Sequence, residues 1–309
     1  MEIITDIRNC QLNGETAVAI GKFDGLHLGH LRLLQEILAL KKEGLKACVF
    51  TFDPSPAVFF GLADGKELMT KEEKRRALET LGVDVLVEYP MNYENAAVTP
   101  QDFVEKLLWE SLHVRYIAAG TDVSFGAKGA GNARLLKEFA ERLGYRLTLI
   151  EKVTLDGEEI SSSLVRKQVE LGRMEQAQKL LGVPYTISGS VLHGKALGRK
   201  LGMPTLNLIP SEMKLLPPNG VYFSQVYWGE KTSPAITNIG SKPTVSDEKI
   251  IGVETYLYDF DEEIYGEEIR VALLAYRRPE MRFSDVEALK NQMAADIDAG
   301  KYYHLSKID

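Results

Sequence analysis

The chain has 309 residues, 45% hydrophobic and 26% charged, a balance that suits a soluble globular protein with ample core. At one domain per ~100–200 residues, two domains are expected. The formal net charge of −7 offers no general attraction for nucleic acid or an anionic membrane, so neither partner is expected, and small anionic ligands would be held by local donors.

Met1 to Asn13 contains no apolar signal stretch, and no later run approaches the ~20 residues of a membrane span, which predicts a cytoplasmic protein. Cys10 and Cys48 lie far apart without C-x-x-C spacing and read as buried, reduced thiols. Thr16–Ile20 is a compact apolar run. His30–Glu43 follows with Leu34, Ile37 and Leu38 at helical spacing before Gly44. Lys46–Phe52 reads as a strand, and Thr70-Lys71-Glu72-Glu73 has capping-box spacing that opens a helix ending near Gly82. After the strand Asp84–Tyr89, Thr99-Pro100 places a cap and a proline before the helix Gln101–Leu112. Tyr116–Ala119, the helix Ala133–Leu143 and the strand Arg146–Val153 complete the series. Strands alternating with helices imply an α/β domain whose parallel sheet is covered on both faces.

The pattern changes at Gly182-Val183-Pro184, giving domains at 1–182 and 183–309. Tyr185–Leu192, Val221–Tyr227, Ala235–Ile239, Val253–Phe260 and Ile269–Arg277 are strand-like. Helical spacing returns only in Ser284–Ala299, which starts at Ser284-x-x-Glu287 and stops at Gly300. A small β-barrel with one packed helix is the expected second domain.

The turn after the first strand, Gly21-Lys22-Phe23-Asp24-Gly25-Leu26-His27-Leu28-Gly29-His30, is the most informative stretch. It lies at a strand's carboxyl end, where open α/β sheets bind ligands. Its glycines permit close backbone approach, and the following helix N-terminus suits phosphate. His27 and His30, three residues apart, can reach one phosphate group and stabilise charge that builds up on it. Ordinary loop histidines are the plain alternative. A metal site lacks a third nitrogen or sulfur ligand beside Asp24.

His27-x-Gly29-His30 resembles the signature of the nucleotidyltransferase superfamily, whose members join a nucleophile to the α-phosphate of a nucleotide and release pyrophosphate. Ser161-Ser162-Ser163-Leu164-Val165-Arg166 is similar to the serine-rich motif of the small adenylyltransferases. Serine hydroxyls at a helix start and a planar guanidinium suit phosphate oxygens. Gly21, Phe23, Asp24, Gly29, Ser162, Ser163 and Arg166 are therefore expected at the ATP phosphates of a Rossmann-like nucleotidyltransferase domain. Gly120-Thr121-Asp122-Val123-Ser124-Phe125-Gly126 resembles a loop of bacterial FAD synthetases, which implies flavin contacts at Asp122 and Phe125; an aromatic residue is usual at the place of Val123.

The second half has its own phosphate signal. Glycines and cations alternate in Gly194-Lys195-Ala196-Leu197-Gly198-Arg199-Lys200, where Gly194, Gly198, Arg199 and Lys200 can wrap and neutralise an anion. In Pro204-Thr205-Leu206-Asn207, Thr205 and Asn207 share one side of an extended segment and suit Mg²⁺ carried by ATP. That segment resembles the riboflavin kinase signature, which usually has alanine at the place of Leu206. Glu254 is the one carboxylate inside its strand, and the resemblance makes it the general base. Arg278-Pro279-Glu280 resembles the family's loop over the flavin and implies a contact from Arg278.

With motifs in order from Gly21 to Phe283, the chain resembles the bacterial bifunctional riboflavin kinase/FAD synthetases. That family implies two steps: riboflavin to FMN in the barrel, then FMN to FAD in the first domain, each with ATP and Mg²⁺. A chain keeping one activity, an adenylyltransferase for another phosphate and a non-catalytic flavin sensor are the alternatives. Protein partners are not legible.

Overall fold

The computed structural model describes residues 1–7, 10, 12–193, 202–242 and 250–307, with Lys242 as backbone only. Two compact units result, Met1–Ser162 and Ser163–Asp309.

The first unit holds six strands: β1 (Glu2–Ile4), β2 (Thr16–Ile20), β3 (Lys46–Asp53), β4 (Val85–Pro90), β5 (Val114–Gly120) and β6 (Arg146–Ile150). They form one parallel sheet in the order β1-β4-β3-β2-β5-β6. Every residue of β2 is buried, as befits a central strand apolar on both faces. Its side chains alternate between two cores. Ala17 and Ala19, with Ala47 and Val49, lie under α1 (Leu28–Ala39) and Leu78 of the later helix Lys71–Thr80. Val18 and Ile20, with Cys48 and Phe50, face Phe103, Leu108, Leu136 and Phe139 on the other side. Further helices are α2 (Pro56–Phe59), α3 (Lys71–Thr80), α4 (Tyr93–Ala96), α5 (Pro100–Asp102) and α6 (Ala133–Leu143). The chain steps from β2 outward to β4, then returns to lay β5 and β6 on the other side. The carboxyl ends of β2 and β5 therefore mark the topological switch point.

Several boundaries differ from expectation. The first helix starts at Leu28 and ends at Ala39, and a 3₁₀ turn (Leu40–Glu43) leads to Gly44, whose φ of +87° only glycine adopts freely. Thr99 caps α5 as its sequence predicts, but the helix continues as a π-helix over Phe103–Ser111. The expected strand Arg146–Val153 stops at Ile150, and a hairpin too short to read in sequence follows, β7 (Thr154–Leu155) and β8 (Glu158–Glu159).

The second unit opens on helices. α7 (Ser162–Glu170) crosses the unit boundary, and α8 (Met174–Leu181) packs on β9 (Tyr185–Ser190) and the last strand. The remaining strands are β10 (Leu206–Leu208), β11 (Gly220–Trp228), β12 (Lys231–Lys242), β13 (Ile250–Leu257) and β14 (Glu268–Pro279). They form an antiparallel sheet, β10-β13-β12-β11-β14-β9, curled into a half-barrel. Its edges touch where Leu192 N–H donates to the Asn207 carbonyl at 2.7 Å. Tyr222, Val226, Ile239 and Val253 fill the inside, and a buried hydroxyl chain joins Ser224, Thr237 and Thr255 at 2.7 and 2.9 Å.

The closing helix, α9 (Val286–Leu305), packs on β12. It is longer than its expected span. Asp285, not Ser284, is the cap and accepts from Ala288 N–H at 2.8 Å. Gly300 does not stop it, because Gly300 serves packing: a Cβ there would lie 2.3 Å from the Tyr258 hydroxyl. That hydroxyl donates to the Ile297 carbonyl at 2.6 Å.

Candidate active sites

In the first unit, the turn after β2 is built around two strained positions. Phe23 takes φ +48°, unusual for an aromatic residue, and drives its ring into the core. Gly25 takes φ +72° and lies so close to Leu68 that a Cβ would come within 2.7 Å of its side chain. The Asp24 carboxylate accepts from Leu68 N–H at 2.8 Å, and the Asp24 carbonyl accepts from the Ser162 hydroxyl at 2.8 Å. The Thr51 hydroxyl donates to the Lys22 carbonyl at 2.9 Å. The backbone of the turn is thus held from β3, from the approach to α3 and from Ser162.

His27 and His30 come together on this frame. His27 is the N-cap of α1, and its Nδ1 accepts from His30 N–H at 3.3 Å, so its ring proton resides on Nε2. The two imidazoles stack with centroids 3.8 Å apart, and the Phe23 ring supports His30 at 4.9 Å. Gly29 makes the stack possible, since a Cβ there would press on the His27 ring at 3.1 Å. His27 is 7% exposed and His30 9%. Burial lowers the His27 pKa to about 4, partly opposed by the Asp24 carboxylate. Burial, with the charges of His27 and Lys74, holds His30 well below the ordinary histidine value. Both rings are neutral near pH 7, so each would act as a neutral donor rather than as an imidazolium. His30 Nδ1 is buried without a hydrogen-bond partner.

The other expected residues of this site separate into roles. Gly21 lies against the Phe23 ring, and Phe23 itself is wholly buried, so it braces His30 from beneath. Ser163 and Arg166 follow Ser162 along α7, Ser163 exposed and Arg166 half-buried beside the buried Val165. Asp122 is exposed and lies 3.7 Å from Lys152. Phe125 is 2% exposed and packs on Phe103 at 5.0 Å, where its ring anchors the loop into the core beneath Gly131.

In the second unit, strand register gathers the expected polar residues. Asn207 of β10 is opposite Glu254 of β13, which in turn is opposite Asn238 of β12. Paired positions share a face, so the three side chains form one row outside the barrel core. That row lines two cavities. Glu254, Asn238 and Tyr256 line a cavity of about 230 Å³ with Arg278, Met293 and Asp296, the last two from α9. Thr205 borders this cavity and a second one of about 210 Å³, lined also by Asn207, Leu257, Phe260 and Tyr265. Asn207 Nδ2 donates to the Thr205 carbonyl at 3.2 Å. His193 stacks on Tyr265 at 3.8 Å. Gly194, Gly198, Arg199 and Lys200 lie outside the described residues.

Several residues here had no sequence signal strong enough to select them. Asp296 holds Arg278 through Nε at 2.9 Å and Nη2 at 2.6 Å, fixing the guanidinium in the cavity wall. Glu280 is held by Asn219 at 3.0 Å and fills the space that a Cβ on Gly240 would occupy. In the first unit, Lys74 is buried near His30 although it stands in a run of charges. The available clue was its place four residues before the buried Leu78.

The comparisons with known proteins agree with this layout. Residues 10–164 match the FAD synthetase family and residues 181–304 match the riboflavin kinase family. The chain is 36% identical to the bifunctional riboflavin kinase/FMN adenylyltransferase of Escherichia coli strain K12, covering 99% of both chains. It is 36% identical to that of Listeria monocytogenes, over 90% of this chain and 89% of the relative. With the Pseudomonas fluorescens enzyme of the same name the identity is 31%, over 97% of each. A crystal structure described as a macrolide-efflux protein from Streptococcus pneumoniae superimposes with a TM-score of 0.86 at 28% identity, covering 97% of this chain and 98% of that one. Among the described residues, no helix is long and apolar enough to cross a membrane. The chain belongs to the bifunctional riboflavin kinase/FMN adenylyltransferase family, with its FAD synthetase domain first and its riboflavin kinase domain second.

Proposed function

We propose that this chain phosphorylates riboflavin to FMN in residues 183–309 and transfers AMP from ATP to FMN in residues 1–182, giving FAD and pyrophosphate. The observation that carries the reading is the register row Asn207, Glu254 and Asn238: Glu254 and Asn238 line one cavity, Asn207 lines the other, and Thr205 borders both. A flavin in the α9-side cavity and a nucleotide in the other would meet at Thr205. The Glu254 carboxylate accepts the proton of the terminal ribityl hydroxyl as that oxygen bonds to the γ-phosphorus, whose bond to the β,γ-bridging oxygen breaks to release ADP. Arg278, fixed by Asp296, presents its edge to the flavin.

Thr205 and Asn207 fit Mg²⁺ bound with the nucleotide. They offer neutral oxygens, and the bond from Asn207 Nδ2 to the Thr205 carbonyl turns the amide oxygen the other way. Bound there, the ion neutralises phosphate charge. The resemblance adds Gly194, Gly198, Arg199 and Lys200 as the wrap around these phosphates.

At the first centre, the α1 N-terminus and the neutral N–H donors of His27 and His30 receive the α-phosphate of ATP. Gly21 and Gly29 let it approach, Phe23 and Asp24 hold the turn, and Ser162 joins them; the family motif extends the assignment to Ser163 and Arg166. Asp122 and the loop that Phe125 anchors form the flavin side. The two free thiols, Cys10 and Cys48, fit a reducing compartment, and the cytoplasm is the assigned location.

The test is a time course with riboflavin, ATP and Mg²⁺, the flavins resolved by chromatography. FMN should appear first and FAD follow. Riboflavin left unchanged, although bound, would overturn the reading in favour of a sensor.

A further inference from the structure

α3 carries three cations on its inner side, and two of them are neutralised. Lys71 is paired with Asp53, and Arg75 holds Glu88 through Nε at 2.9 Å and Nη2 at 2.5 Å. Lys74, between them in sequence, joins no ion pair among the described residues, yet its residue is only 8% exposed. The stem of Lys74 is buried while its ammonium keeps an opening to solvent, since the buried side-chain polar atoms without a partner among the described residues are those of His30, Tyr89 and Gln168. Lys74 stands at the fourth position of a helix whose start is fixed by the Thr70–Glu73 capping box. The segment just before it is tied to the histidine turn by the Asp24–Leu68 bond and the Gly25–Leu68 contact.

The surroundings of Lys74 point the same way. Its charge reaches His30, whose protonation burial and His27 already oppose. It also reaches Glu67, whose carboxyl burial pushes above the usual range and Lys74 pulls back. His30 Nδ1 is buried without a partner in the same turn. The Lys74 ammonium lies within electrostatic reach of His30, on the side where the account above puts a nucleotide. Phosphate oxygens would pair with it.

We propose that Lys74 contacts the polyphosphate of the nucleotide in the AMP-transfer centre and stabilises the charge that departs as pyrophosphate. The inference rests on the reading of that centre given above. As an FMN phosphate oxygen bonds to the α-phosphorus, the bond from that phosphorus to the bridging oxygen breaks. Its electron pair leaves on pyrophosphate, beside the ammonium, and no proton needs to move.

The test uses the full chain carrying Lys74→Met, with Lys74→Arg beside it. FAD formation from FMN and ATP should fall at least 100-fold in Lys74→Met. Riboflavin phosphorylation, measured in the same preparation, should stay within twofold. In the reverse direction, with FAD and inorganic pyrophosphate, the KM for pyrophosphate should rise at least tenfold in Lys74→Met and at most threefold in Lys74→Arg. Because methionine keeps the buried stem and no ion pair among the described residues is lost, Lys74→Met should melt no lower than the wild type. An unchanged pyrophosphate KM would overturn the proposal, and so would a Lys74→Met chain that melts lower or fails to fold, since Lys74 would then be structural. A wild-type chain that makes no FAD would instead sink the underlying reading.

Discussion

At the scale of single residues, the histidine pair shows how burial sets a working state. The unfolded chain protonates its histidines near pH ~6.5, whereas folded His27 resists until about 4 and burial also holds His30 well below its ordinary value. Between these values the unfolded state binds more protons, so stability is complete above pH ~6.5 and is lost as pH falls. For His27 the full span amounts to on the order of 3 kcal/mol. The melting temperature of the first unit should therefore drop between pH 6.5 and 5. His27→Asn keeps a cap for α1 but cannot titrate, and it should make that drop shallower, leaving the part due to His30. A variant that tracks the wild type across this window would contradict the neutral pair. The meeting of His27 with His30 was legible, because three-residue spacing at a helix start puts both side chains on one side. Lys74 and Asp296 were not, because a charge in a charged run reads as solvated until a fold buries it.

At the scale of elements, termini rather than types separate expectation from structure. Capping chemistry was readable where a side chain caps its own helix, as at Thr70 and Thr99. The end of α9 was not, because Gly300 answers to Tyr258, a residue 42 positions away in a different element. The short strand β1 and the hairpin β7–β8 carry too few residues for any period to show. The Gly300 reading predicts that Gly300→Ala destabilises the second unit by about 1–3 kcal/mol, through overpacking against the hydroxyl. Removing that hydroxyl should recover much of the loss, so Gly300→Ala combined with Tyr258→Phe should cost less than the sum of the two single changes. Denaturant melts of the four chains decide this; strict additivity would show that the contact is not the cause.

At the scale of the whole molecule, one chain carries two folds with two charge-handling devices. In the parallel sheet, a helix N-terminus and two stacked neutral imidazoles lie at the switch point. In the half-barrel, a carboxylate stands in register with two amides beside a cavity. The motifs of the first centre precede those of the second along the chain, and the two family matches fall in the same order. The most direct measurement pairs Glu254→Gln with His27→Ala. Glu254→Gln should form no FMN yet convert supplied FMN to FAD, and His27→Ala should accumulate FMN without FAD. Mixed together with riboflavin and ATP, the two should restore FAD. If either soluble variant loses both conversions, the two centres are not independent and the account fails.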